Sequence, residues 1–77
     1  MDILKRVRDA EIYCKDNLLD LVKEMVAWQE NGVRADGKFS ILVAMLMPPF
    51  YEQNALSVAE SMIKDAAYRK IIEDSDV

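Results

Sequence analysis

The sequence predicts an all-α fold: a small three-helix domain with a long N-terminal helix, a short buried middle helix and a long C-terminal helix. Two observations predict it. Glycine and proline occur only at positions 32, 37, 48 and 49, so they divide the 77 residues into three segments. In the first and last segments, apolar residues recur at the three- and four-residue steps of a helix. We expect helices at residues 2–30, 37–47 and 50–73 of one domain (1–77), with a frayed tail at 74–77.

The first segment has the pattern of one amphipathic helix. Asp2 suits its first turn, and Asn31 followed by Gly32 supplies a left-handed stop. Polar residues cluster around Asn17, where a bend could lie. Steps of three and four residues connect the apolar positions of its stripe, which are Leu4, Val7, Cys14, Leu18, Leu21, Met25 and Trp28.

The middle segment contains the apolar run Ile41 to Met47, whose periodicity alone does not distinguish a helix from a strand. A helix is favoured because a lone strand would leave its backbone groups without partners. Asp36 is placed to cap its start, and Pro48 ends it. Since this helix is apolar all round, we expect it in the middle of the fold.

The third segment predicts a helix that Pro49 could open, or that Asn54 could cap at a later start. Its alanines should let another helix approach closely. Glu60 with Lys64, and Asp65 with Arg69, are favourable pairs at four-residue spacing. Its predicted core face consists of Ala55, Leu56, Ala59, Met62, Ile63, Ala66 and Ala67.

The length of the first helix predicts self-association. A continuous helix over residues 2–30 would extend about 45 Å, whereas a compact domain of this size is roughly 30 Å across. The overhang would expose Leu4 and Val7 unless the helix bends near Asn17 or a second molecule covers it. We favour the second molecule, hence a homodimer that associates through Leu4, Val7, Cys14 and Leu18.

The composition excludes most chemistries. The chain has no histidine and a single cysteine, so it lacks the commonest metal ligand, an internal disulfide and a base for a nucleophilic Cys14 or serine. We expect no enzymatic activity, cofactor, metal or small-molecule substrate. Cys14, on the apolar stripe, should be an inert buried thiol. A lone thiol without a signal-peptide pattern predicts a cytoplasmic protein, or one of the host cytoplasm if viral, and no apolar run is long enough for a membrane helix.

Three groups of residues are candidate partner surfaces. The aromatic corner (Pro48, Pro49, Phe50 and Tyr51) and Trp28 could either complete the core or anchor a partner. The acidic face (Asp2, Asp9, Asp16, Asp20 and Glu24) could dock a basic partner or simply be solvated. The basic group (Lys5, Arg6, Arg8 and Lys15) is the only material for phosphate contacts. Glu11 interrupts the apolar stripe, so it should face solvent at a bend or pair with Arg69 or Lys70, either of its own chain or of a partner chain.

These patterns predict a small non-enzymatic protein–protein interaction module, a homodimeric regulator or a subunit of a larger complex. The first alternative is an inhibitor of the type encoded by phages and mobile elements, whose acidic face blocks a basic site on a host protein. The second is a nucleic-acid-binding regulator that uses the basic group. Nucleic-acid binding is disfavoured because the net charge is −4, with ten basic against fourteen acidic residues.

Overall fold

The computed structural model describes residues 3–32, 37–47 and 50–75, and α-helices are the only regular secondary structure in this part of the chain. The helices are α1 (Ile3–Asp16), α2 (Leu18–Asn31), α3 (Lys38–Leu46) and α4 (Glu52–Ser75). The predicted all-α class is confirmed. The predicted count of three helices is wrong, because the segment expected to form one helix at 2–30 forms both α1 and α2.

The break between α1 and α2 lies at Asn17, whose backbone departs from helical geometry at φ −125° and ψ 25°. The Asn17 side-chain amide donates a hydrogen bond to the Tyr13 carbonyl at 3.0 Å, and its backbone N–H donates to the same oxygen at 3.0 Å. Asparagine interrupts helices in this way because its short amide competes for nearby backbone groups. Of the two expected ways to cover the apolar stripe, the described structure has the bend.

The bend lets both halves of the predicted first helix pack on the remaining helices. Both α1 and α2 contact both α3 and α4. The short middle helix lies within this packing, as predicted, although Ile41 and Ala44 on one side of it are exposed. Among the described residues, the buried core consists of Ala10, Cys14, Leu21, Met25, Phe39, Leu42, Val43, Leu46, Ala55, Ala59 and Ile63.

The two ends of α3 are held by side chains from the other helices. At its start, the Glu24 carboxylate of α2 accepts a hydrogen bond from the Phe39 N–H at 3.3 Å. At its end, Arg6 of α1 donates to the Met45 carbonyl at 3.4 Å. Each charge matches the helix dipole, because an anion stabilises a helix N-terminus and a cation stabilises a C-terminus. The predicted cap Asp36 lies outside the described residues.

The ends of α2 and α4 test further predictions. Gly32 takes a left-handed conformation at φ 65° and donates its N–H to the Trp28 carbonyl at 2.8 Å, which confirms the predicted stop. Helix α4 begins at Glu52 rather than at residue 50, and it continues to Ser75. Residues 74 and 75, for which fraying was predicted, are thus helical in this structure, and the Ser75 hydroxyl donates to the Ile71 carbonyl at 2.6 Å. Pro49, the other proposed start, is outside the described residues.

Helix α4 extends beyond the core. Its predicted core face is confirmed, with Ala55, Ala59 and Ile63 buried and Ala66 packed against the core. From Tyr68 to Ser75, however, every residue is exposed. These eight positions correspond to about 12 Å of helix. An exposed helix end was predicted for the first helix, where Leu4 is indeed exposed; the end of α4 is exposed as well, which was not predicted.

Candidate interaction surface

The exposed end of α4 carries an apolar group that we call the α4 stripe, consisting of Tyr68, Ile71 and Ile72. Their exposed fractions are 64%, 65% and 48%. Residues spaced by three and four positions share one side of a helix. On α4 that side points away from the buried Ala59 and Ile63. The stripe therefore presents three large apolar side chains to solvent on one helix face.

The α4 stripe was not predicted, because the spacing of apolar residues was assigned to a single face of the third helix, the one rich in alanine. The signal was present in the spacing of Tyr68, Ile71 and Ile72. Pattern alone did not show which of the two apolar sides of α4 would meet the core.

The predicted dimer stripe is divided between core and surface. Cys14 is buried, while Val7 and Leu18 are half-buried, with Leu18 packed against the core. Leu4 is 72% exposed. The chain thus covers much of this stripe with its own helices, and the homodimer through these residues stays a prediction.

The aromatic corner separates into an inner and an outer ring. Phe50 is half-buried against the core, and its N–H donates to the Leu46 carbonyl at 3.0 Å. Tyr51 is 84% exposed. Trp28 is half-buried and packs on Phe39, with 5.6 Å between the ring centroids. Of the two aromatic rings of this corner, Tyr51 is therefore the one that a partner could reach more easily. Pro48 and Pro49 lie outside the described residues.

The acidic face is partly engaged within the chain. The Asp20 carboxylate forms an ion pair with the Lys38 ammonium at 2.6 Å. The hydrogen bond from Lys38 and its charge lower the pKa of Asp20, and the same hydrogen bond, which Asp20 accepts, raises the pKa of Lys38. Glu24 binds the start of α3 as described above, whereas Asp9 and Asp16 are exposed. Asp2 lies outside the described residues.

One member of the basic group is engaged within the chain. Arg6 is turned towards the end of α3, where it binds the Met45 carbonyl. Lys5 and Arg8 are exposed elsewhere on α1, and Lys15 lines a groove between α1 and α4.

This α1–α4 groove has a volume of about 330 Å³. Glu11 lines it together with Arg69 and Lys70, the two cations expected opposite it, although Arg69 pairs with Asp65 at 3.1 Å. The expected pairs Asp65–Arg69 and Glu60–Lys64 are both confirmed. The lining residues combine an apolar floor with charges of both signs: Glu11, Cys14, Lys15, Leu18, Met62, Asp65, Ala66, Arg69, Lys70 and Glu73.

The groove does not offer a reactive nucleophile at Cys14. Burial, and to a lesser extent the nearby charge of Glu11, raise the pKa of the Cys14 thiol to about 11. The thiolate is the nucleophilic form of cysteine, so it is scarce at neutral pH. Within residues 3–32, 37–47 and 50–75, no group of three or more His, Cys, Asp or Glu side chains is arranged to hold a metal ion. No helix in the same ranges is both long and apolar enough to cross a membrane.

Comparison with protein families, curated proteins and solved structures gives no match to this chain. Its function is therefore inferred from its own residues.

Proposed function

We propose that this protein is a small non-enzymatic interaction module that acts by contact with other proteins, as a homodimeric regulator or as a subunit of a larger complex. The observation that supports the proposal is the α4 stripe, which places Tyr68, Ile71 and Ile72 together on a helix end beyond the core. Grouped apolar side chains on an exposed helix are typical of binding surfaces, whereas single exposed ones are ordinary.

The position of the stripe adds to this support. Short helices are only marginally stable in water without tertiary packing. The end of α4 after Ala67 has little such packing, since all its residues from Tyr68 onward are exposed. A partner that covers the stripe would supply that packing. Burial of each large apolar side chain contributes roughly 1.5–3 kcal/mol when complete.

The charges around the stripe indicate the chemistry of the partner surface. Lys64, four residues before Tyr68, and Asp65, seven residues before Ile72, lie on the same side of α4 as the stripe, and their side chains are 60% and 62% exposed. A partner should therefore present an apolar centre with charges of both signs at its rim, which is the usual composition of a protein interface. A cytoplasmic site of action suits a chain whose single thiol is buried and unpaired.

The alternatives have weaker support. An inhibitor of the phage type would use the acidic face, but Asp20 and Glu24 already bind the start of α3. A nucleic-acid-binding regulator would use the basic group, but Arg6 binds the end of α3.

The proposal is tested by affinity capture with purified wild-type and variant protein in cytosol from the source cells. The double variant Tyr68→Ser/Ile71→Ser should lower the yield of specifically captured protein at least 10-fold without changing the melting temperature. Ile12→Ser is the matched control, because Ile12 is a similarly exposed isoleucine on α1. Undiminished capture by the double variant would contradict the proposed surface.

A further inference from the structure

We propose that Asn31 is a site of spontaneous deamidation and that the helix cap at Gly32 controls its rate. Both residues are exposed at the end of α2, and asparagine is a chemically labile residue. In the reaction, the backbone nitrogen of Gly32 attacks the side-chain carbonyl carbon of Asn31, loses its proton to a base in the solvent and expels ammonia, which closes a succinimide ring. Water then opens the ring. Opening at the side-chain carbonyl gives aspartate, and opening at the main-chain carbonyl gives isoaspartate.

Glycine at position 32 leaves the attacking nitrogen accessible. It has no side chain to shield that nitrogen, and no atom from elsewhere in the described part of the chain lies within 4 Å of the point where a Cβ would stand. The other two asparagines of the sequence, Asn17 and Asn54, precede leucine and alanine, whose side chains crowd the nitrogen. Asn31 is therefore the asparagine most open to this reaction.

The cap opposes the attack while it is closed. Gly32, at φ 65°, donates its N–H to the Trp28 carbonyl at 2.8 Å. This hydrogen bond holds the proton that the nitrogen must lose. The helical backbone of Asn31 also keeps the nitrogen turned away from the side-chain carbonyl carbon. The reaction thus requires that the last turn of α2 open first.

This opening meets little resistance. The last turn of α2 contains no basic residue to balance the negative end of the helix dipole, and the exposed Glu30 adds negative charge there. Exposed helix ends are among the parts of a native protein that open most readily. The folded protein should therefore deamidate at Asn31, but more slowly than the unfolded chain.

The product favours further opening of α2 and affects the core. Aspartate at position 31 places a negative charge beside Glu30, at the negative end of the helix. Isoaspartate lengthens the main chain by one methylene, which displaces the Gly32 N–H from the Trp28 carbonyl. The Trp28 ring packs on the buried Phe39 ring of α3, with 5.6 Å between the centroids. Deamidation should therefore loosen α2 from α3, an irreversible change that accumulates as the protein ages.

Ageing of the purified full chain for several weeks, followed by isoelectric focusing and by peptide mapping with mass spectrometry, tests the site. We expect an acidic product at Asn31, formed at least 10-fold faster in guanidinium chloride than in native buffer. Asn31→Gln should remove this product. Gly32→Ala should slow its formation at least 10-fold in guanidinium chloride, where strain at the cap plays no part. Isomerisation of Asp36, which also precedes a glycine, leaves the charge unchanged and is thereby distinguished.

Two results overturn the proposed site and its control. The absence of acidic product at Asn31 in aged native protein shows that the site does not react in the folded state. Equal rates in native buffer and in guanidinium chloride show that the cap does not control the reaction.

Tryptophan fluorescence tests the effect on the core. Trp28 is the single tryptophan of the chain, so its emission reports on the contact with Phe39. The acidic fraction, separated by ion exchange, should show a red-shifted emission and a melting temperature several degrees below that of unaged protein. Asn31→Gln, aged in parallel, should keep both values. Unchanged emission or an unchanged melting temperature in the acidic fraction overturns the coupling of Asn31 to the core.

Discussion

Replacement of Gly37 by alanine should destabilise this protein more than the same replacement at Gly32, although both glycines have positive φ. Gly32 has φ 65° and open space where a Cβ would stand. Gly37 has φ 115°, and a Cβ there would lie 2.8 Å from Oε1 of Glu24. That oxygen accepts the hydrogen bond from Phe39 that caps α3. Alanine at 37 would therefore strain the backbone and displace the cap, whereas alanine at 32 would only strain the backbone.

The expected magnitudes follow from these two effects. A non-glycine residue in the left-handed region costs roughly 1–2 kcal/mol, which we expect for Gly32→Ala. The conformation of Gly37 costs about 1–3 kcal/mol for alanine, and loss of a cap costs about 1 kcal/mol. Gly37→Ala should thus lower the free energy of unfolding by about 2–4 kcal/mol, a fall in melting temperature of roughly 10–30 °C for a domain of this size.

Thermal and urea unfolding followed by circular dichroism would measure both variants, with Glu24→Ala and the Glu24→Ala/Gly37→Ala double variant completing a cycle. The double variant should be more stable than the sum of the single effects predicts, by about 1 kcal/mol, because the carboxylate can be lost only once. Glu30→Ala, an exposed glutamate on the same helix, is the control for loss of charge. Equal effects of Gly37→Ala and Gly32→Ala, or full additivity in the cycle, would refute the capping role of Glu24.

Three further outcomes are expected. Burial of Cys14, which raises the pKa of its thiol to about 11 from an ordinary 9.0, should make the native thiol react at least about 10-fold more slowly with a disulfide reagent than the urea-unfolded thiol, because the loss of thiolate outweighs its greater nucleophilicity; equal rates would contradict its burial. Because Lys38 lowers the pKa of Asp20 in the folded state, the stability that this pair contributes is present above the ordinary value of 3.8 and is lost as the pH falls below it. Asp20→Asn should therefore flatten the acid limb of stability against pH, and an unchanged limb would argue against the ion pair. Tyr51→Ala should change the free energy of unfolding by less than about 0.5 kcal/mol, whereas Phe39→Ala should cost about 3–5 kcal/mol; a large effect at Tyr51 would show that its ring is not exposed in solution.

The predicted helical regions and much of the core were correct because they depend on local spacing. Ala55, Ala59 and Ile63 follow the helical period, and the structure buries all three. The cap of α3 was not predictable in this way. Its acceptor, Glu24, is thirteen positions before Gly37, and only the packing of α2 beside α3 brings the two together.

The candidate surface was harder to predict than the fold. Tyr68, Ile71 and Ile72 have the same spacing as residues that pack in a core. Their exposure follows from which side of α4 packs against the other helices, and a single helical pattern does not contain that choice. Conversely, Cys14 and Leu18 were expected at a dimer contact, and the bend at Asn17 lets this chain cover them itself.

The sequence by itself determined the helical class, the left-handed stop at Gly32 and the exclusion of histidine-dependent chemistry, because each depends on residue type or on spacing within one segment. Only the tertiary structure decided that the first apolar segment bends, that the acidic side of α2 caps α3 and that the last helix projects beyond the core. These features depend on which surfaces meet. The same spacing of apolar residues occurs on a helix face that its own chain covers and on one that stays open to a partner protein. The free energy of burial over the whole molecule decides which of the two results.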